Sequence, residues 1–177
     1  MKYQEAIKLE MENLAKDEKV IFVGYNINHG SLSYGTLKDV LDNKKIETPV
    51  AENLMSGLCM GLALEGFKPV LFFERHDFML VGMDSLINHL DKIEELSKGQ
   101  FKCPVIVRAV VGATKPINPG LQHTQDFTEI FKRMFHFPVY ELKTVEDIKK
   151  AYKEAGKFEQ PIMIIERKDL YSQEFQD

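Results

Sequence analysis

Glu52 has the most unusual surroundings of any residue in this chain that could do chemistry. It opens a segment otherwise built from Leu54, Met55, Leu58, Cys59, Met60, Leu62 and Leu64. A carboxyl group there feels two opposed effects. Desolvation raises a buried carboxyl pKa by up to ~3–5 units, whereas a helix amino terminus stabilises the anion by only ~0.3–1 kcal/mol. If water is excluded, burial wins, and a partly neutral glutamate can share its proton with a ligand nitrogen. The alternative is an exposed first-turn acid favoured by the helix dipole, and the residues alone leave both open. A second group is Phe72-Phe73-Glu74-Arg75-His76-Asp77-Phe78, which puts charge and aromatics just after an apolar run. Phe78 offers a ring face for stacking, or simply joins a core. His123, in Gly120-Leu121-Gln122-His123-Thr124-Gln125-Asp126, is a loop histidine able to exchange protons near neutrality or merely solvated, and His29 in Asn28-His29-Gly30 is similar. His89 and His136 fall in helical patterns and read as structural.

The elements that must position these residues follow from periodicity. Tyr3, Ala6, Ile7, Met11 and Leu14 share one helix face, and Val20-Ile21-Phe22-Val23-Gly24 is a short buried strand. Leu37, Val40 and Leu41 suggest a short helix after a loop over residues 26–35. Thr48-Pro49 opens a strongly apolar helix to about Leu64, closed by Gly66 and buried on most sides. Residues 70–73 form a strand. Asp77 then caps one long helix carrying Phe78, Val81, Leu86, Ile87, Leu90, Ile93 and Leu96, ended by Gly99. A strand over 105–111 and a loop over 112–122 follow. Asp126 starts a helix with Phe127, Ile130, Phe131 and Met134 inward. After a strand over 139–142, Thr144-x-x-Asp147 resembles a capping box for a helix to about Ala155, and 162–165 is the last strand. Apolar strands alternating with helices predict a single α/β domain with a mainly parallel sheet covered by helices on both faces. Ligands in such a sheet bind beyond the carboxyl ends of the strands, where Glu74 to Phe78 would lie. Gly57 and Gly61 share a helix face without side chains, suited either to close packing within the chain or to a subunit contact.

Composition narrows the function. The chain has 177 residues, 44% hydrophobic and 28% charged, enough apolar material for one real core. The two cysteines, Cys59 and Cys103, lie far apart in apolar stretches with no ligand spacing, which argues for a reducing compartment and against a metal site. A net charge of −4 gives no electrostatic reason to expect nucleic acid. No stretch approaches the ~18 apolar residues of a membrane span, so the expected location is cytoplasmic. GxGxxG, Walker, GxSxG and HExxH motifs are absent.

The order of the remaining features resembles the pyrimidine-binding domain of thiamine-diphosphate enzymes, most closely the beta subunit of 2-oxo acid dehydrogenase first components, with transketolases more distant. The resemblance rests on Thr48-Pro49-Val50-Ala51-Glu52, Gly66-Phe67-Lys68-Pro69-Val70, Asp77-Phe78, Met83-Asp84-Ser85-Leu86-Ile87-Asn88, Ser97-Lys98-Gly99-Gln100, Gln122-His123-Thr124-Gln125-Asp126-Phe127 and Gln160-Pro161-Ile162. It covers nearly the whole chain and implies a thiamine-diphosphate-binding fold over residues 1–177, without the carboxy-terminal domain of a typical beta subunit. It implies that Glu52 hydrogen-bonds the aminopyrimidine nitrogen, that Phe78 stacks on that ring, that Glu74 lies near its exocyclic amine, and that His123 faces the reacting thiazolium carbon. His29 or His76 is a further candidate for proton transfer there. Proton sharing with Glu52 favours the imino form of the pyrimidine, which activates the thiazolium for attack on a keto substrate. The family holds the diphosphate and Mg2+ with a GDG motif on a separate domain, and no GDG occurs in this sequence. The expected function is therefore that of the pyrimidine-binding subunit of a split enzyme, either a transketolase-like transferase or a 2-oxo acid oxidoreductase. It would be active with a diphosphate-binding partner subunit, as a heterotetramer. The alternative is a non-catalytic binding or scaffolding module of the same fold.

Overall fold

The computed structural model describes residues 1–175, so the last two positions of the expected 1–177 domain lie outside the described residues. These residues form one six-stranded sheet: β1 (Val20–Gly24), β2 (Lys45–Glu47), β3 (Lys68–Phe73), β4 (Ile106–Val111), β5 (Val139–Glu141) and β6 (Ile162–Arg167). The strand order is β2-β1-β3-β4-β6-β5, and every pairing is parallel. Helices α1 (Tyr3–Ala15) and α6 (Val145–Ala155) cover one face, while α2 (Glu52–Leu64) and α5 (Thr128–Met134) pack on the other. The apolar runs of the central strands are continuous because both faces are buried. Along β3, Val70 and Phe72 join the core beneath α1 and α6, whereas Leu71 and Phe73 join Met55 and Cys59 of α2. The capping box on α6 is present, with Thr144 Oγ1 accepting from Asp147 N at 3.1 Å.

Local geometry departs from the periodicity in five places. Residues 30–40 form a chain of turns rather than a helix, because Leu32, Ser33 and Tyr34 adopt left-handed φ values of 49°, 53° and 56°. The edge strand β2, with a polar residue at each end and no buried position, gave no strand pattern. Helix α2 starts at Glu52, three residues after Pro49, and is buried on one side only: Leu54 and Leu64 are 57% and 44% exposed. The long helix expected from Asp77 is broken into α3 (His76–Met79), a 3-10 turn at Leu80–Gly82, a π turn at Ser85–Leu90 and α4 (Ile93–Leu96). The break brings Gly82 against α2, where a Cβ would sit 3.1 Å from the Glu52 carbonyl oxygen and 3.0 Å from Ser56 Oγ. In α5, Phe131 is buried but Ile130 and Met134 face outward, and His136 is exposed beyond the helix rather than part of it.

Among the described residues Gly57 and Gly61 have no neighbour within 4 Å of where a Cβ would be, so close packing among those residues does not explain them. Both cysteines are buried free thiols, and burial pushes the Cys103 thiol up to about 12, which leaves it protonated and unreactive.

Candidate active site

The strand order reverses direction between β1 and β3: the chain leaves β1 for β2 on one side and returns to β3 on the other. In an open parallel sheet the crevice for a ligand lies at the carboxyl ends of two such strands. Here those ends are followed by Tyr25-Asn26 and by Glu74-Arg75. These four residues, with Val50, Glu52, Phe78 and His123, line a cavity of about 330 Å³. Two other cavities, of about 330 and 470 Å³, lie away from the carboxyl ends of β1 and β3.

Glu52 is the first residue of α2 and only 6% exposed. Ser56 Oγ donates to the Glu52 carbonyl at 2.8 Å, and Ser85 Oγ donates to Asn53 Oδ1 at 2.6 Å, so the helix start is held from two directions. The Tyr25 hydroxyl is the donor beside the Glu52 carboxylate. The exposed first-turn acid that the sequence left open is thus set aside in favour of a buried one. Nearby, the Tyr25 hydroxyl is buried without a hydrogen-bond partner. Burial first, and then the charges of Glu52 and Glu74, hold that phenol well above its usual range, so it is a proton donor and not an anion.

Glu74 is half-buried, accepting from Asn26 Nδ2 at 3.2 Å and from Ser31 Oγ at 3.3 Å. The loop that carries Asn26 is fixed by Glu47 of β2. Its carboxylate accepts from three consecutive backbone N–H groups, those of Asn26, Ile27 and Asn28, at 2.6, 3.0 and 2.7 Å. Phe78 on α3 is half-buried and meets the His123 ring edge to face, with centroids 5.2 Å apart. His123 comes close because β4 is followed by Gly112, where a Cβ would overlap the His123 carbonyl oxygen at 1.8 Å. Glu52, Glu74, Phe78 and His123 therefore surround one cavity.

The other two histidine candidates do not reach it. His29 is exposed on the turns after β1 and is not among the lining residues. His76 is fully buried: its Nδ1 accepts from Phe127 N at 3.2 Å, and its ring packs against Phe127 and Phe131. Burial pushes its pKa down to about 4, so it is a neutral core residue. Sequence reasoning missed Tyr25 and Glu47, which carry no motif. The signal for Tyr25 was its place directly after β1, at a point where the strand order has to be known first.

The cavity fits an aminopyrimidine in type. The carboxylate of a buried glutamate, a buried phenol and an aromatic ring face are the complements of a planar, hydrogen-bonding heterocycle.

Comparison with known proteins agrees with the fold. The beta subunit of the pyruvate dehydrogenase E1 component from Saccharomyces cerevisiae mitochondria is 29% identical over 181 residues, covering 99% of this chain and 49% of that protein. The 2-oxoisovalerate dehydrogenase subunit beta of Bacillus subtilis is 27% identical, over 97% of this chain and 53% of its own length. This chain spans about half the length of the curated relatives it matches. Among solved structures, a split gene transketolase described as an inactive beta4 tetramer superposes with a TM-score of 0.74 at 15% identity, over 97% of this chain and 52% of its own. The family model for the transketolase pyrimidine-binding domain matches residues 1–173. With its parallel sheet and the cavity between β1 and β3, the chain belongs to the transketolase pyrimidine-binding domain family.

Proposed function

We propose that this chain is the pyrimidine-binding subunit of a split thiamine-diphosphate-dependent enzyme acting on a small keto substrate, by transketolase-like two-carbon transfer or by 2-oxo acid decarboxylation. The observation that carries this reading is Glu52, a residue only 6% exposed, lining the cavity beside the buried Tyr25 hydroxyl. A carboxylate on a buried residue is stabilised by a ligand N–H or by a shared proton. Thiamine diphosphate, when bound, supplies an acidic ring carbon that attacks a carbonyl once its proton is removed. The chain's own residues would serve that chemistry separately. Glu52 would hold a proton against the aminopyrimidine nitrogen, and Phe78 would give that ring a face. Glu74, kept in place by Asn26 and Ser31, would face its exocyclic amine. His123 would exchange a proton with substrate oxygen.

The diphosphate and its magnesium fall to a partner subunit in this reading. Among the described residues, no three His, Cys, Asp or Glu side chains gather as a metal-binding set. Self-association in a heterotetramer is supported by the exposed face of α2, where Leu54 and Leu64 flank the bare positions Gly57 and Gly61. A non-catalytic scaffold would have no need of four functional side chains around one cavity.

The test is a calorimetric titration of thiamine diphosphate and magnesium into the chain mixed with its diphosphate-binding subunit. Tight binding by the wild-type assembly, weakened at least about tenfold by Glu52→Ala and accompanied by loss of turnover, is expected. Full turnover in Glu52→Ala would overturn the assignment.

A further inference from the structure

Arg75 lines the same cavity, yet its charge has no counterpart among the described residues. It follows Glu74 beyond β3. Its Nη1 donates to the Glu74 carbonyl oxygen at 2.7 Å, and its Nε is buried without an acceptor. Among the described residues no carboxylate pairs with it. The guanidinium carbon lies 5.1 Å from the centroid of the Tyr34 ring. A second cation shares that ring: Lys168 Nζ is 3.7 Å from the Tyr34 centroid and 4.2 Å from that of Tyr171. Lys168 also makes no ion pair among the described residues. Its ammonium is pushed down to about 8, by burial first and then by the Arg75 charge.

The nearby acids are committed elsewhere. Glu166 is taken by Arg108, Tyr152 and Tyr171, and Glu74 accepts from Asn26 and Ser31. Cation–π contact with Tyr34 offsets only part of the cost of holding two like charges together away from water. The arrangement is also rigid. The Arg75 stem passes beneath the His123 loop, with its Cδ 3.1 Å from where a Gly112 Cβ would stand, so Arg75 and His123 are held to the same strand end. A planar guanidinium with a free edge, fixed in a cavity and supported by a second positive charge, is suited to a carboxylate or phosphate.

We propose that Arg75, with Lys168 behind it, is the specificity-determining residue that receives the anionic group of the substrate, a carboxylate or a phosphate, in the cavity shared with Glu52, Phe78 and His123. The inference rests on that cavity being the reacting site, and it narrows the keto substrate to an anionic one. A 2-oxo acid carries its charge one bond from the carbonyl, whereas a sugar phosphate carries it at the far end of the chain, so the two sources are separable.

The experiment titrates the nitrogen-15-labelled chain, residues 1–177, with pyruvate, ribose 5-phosphate and the uncharged ester methyl pyruvate, following the amide signals of Glu74, Phe78 and His123. Saturable shifts with pyruvate alone support a carboxylate, with ribose 5-phosphate alone a phosphate, and with both a general anion subsite. Arg75→Gln should weaken the binding at least about tenfold, and Arg75→Lys less than that. Equal response to pyruvate and methyl pyruvate, no response to either anion, or unchanged affinity in Arg75→Gln would overturn the proposal. The wild-type comparison of charged and uncharged ligands does not depend on how the variants fold. The calorimetric titration of thiamine diphosphate depends on Glu52 and this one on Arg75, so either can fail alone.

Discussion

His76 and Phe78 lie two residues apart on one short helix, yet His76 turns into the packing of Phe127 and Phe131 while Phe78 meets His123 at the cavity. The difference has a measurable consequence. His76 is held neutral by burial, with its pKa lowered from 6.5 to about 4. The unfolded chain therefore binds a proton that the folded chain refuses, and stability falls as pH drops from about 6.5 toward 4. By pH 5 the loss from this one residue is about 2 kcal/mol. Urea unfolding of the wild-type chain at pH 7 and pH 5 should show that loss, and His76→Phe should lack most of it; an identical pH dependence in the variant would contradict the assignment. At this scale, much of the cavity was legible in residue types. A lone acid at the head of an apolar helix and an aromatic at a strand's carboxyl end announced themselves. Tyr25 and Glu47 did not, because a polar residue beside a strand gives no sign of whether it faces a cavity until the strand order is known.

Among the elements, the turns over residues 31–36 depend on a buried charge. Three successive left-handed residues, Leu32, Ser33 and Tyr34, cost about 1–2 kcal/mol each. They are held from below by Arg108 of β4, whose guanidinium donates to Ser33 Oγ at 2.7 Å and Thr36 Oγ1 at 2.8 Å while pairing with Glu166. Tyr152 and Tyr171 complete the network around Glu166. Tyr34, on the same turns, donates from its hydroxyl to the Glu74 carbonyl at 2.9 Å, which links the buried pair to the cavity. Arg108→Met leaves Glu166 as an unpaired buried charge and should destabilise the chain by about 3–5 kcal/mol. The double variant with Glu166→Met should recover part of that loss. Denaturant midpoints of the two variants and the wild type check this, and equal midpoints for single variant and wild type would count against the network. Strands β1, β3, β4 and β6 were legible because their apolar runs are long and doubly buried. The break after α3 was not, since Phe78 with Val81 and Leu86 with Leu90 and Ile93 keep helical spacing on either side of it while the backbone tightens to bring Gly82 against Glu52.

For the whole molecule, α2 presents one face to the sheet and the other to solvent, with Leu54, Gly57, Gly61 and Leu64 on the open side. No helix among the described residues is long and apolar enough to cross a membrane, so a lipid span does not account for this face. We propose that a second protein surface covers it. Gly57→Leu and Gly61→Leu should leave the single chain folded, and slightly more stable, because nothing stands within 4 Å of either Cβ position and glycine is a poor helix former. Assembly should nonetheless weaken, because the bare stripe that admits a second helix is filled. Light scattering coupled to size-exclusion chromatography, with a melting curve on the same sample, separates the two effects. Unchanged assembly in the variants would exclude this face as an interface.

Whether the buried carboxyl at the head of α2 hands a proton to the cofactor's pyrimidine is most directly read from hydrogen–deuterium exchange at the thiazolium ring carbon of thiamine diphosphate. The sample is the assembly with the diphosphate-binding subunit. Exchange should be fast in the wild type and slower by at least about a hundredfold in Glu52→Gln. Exchange at the wild-type rate in that variant, with cofactor bound, would contradict the account.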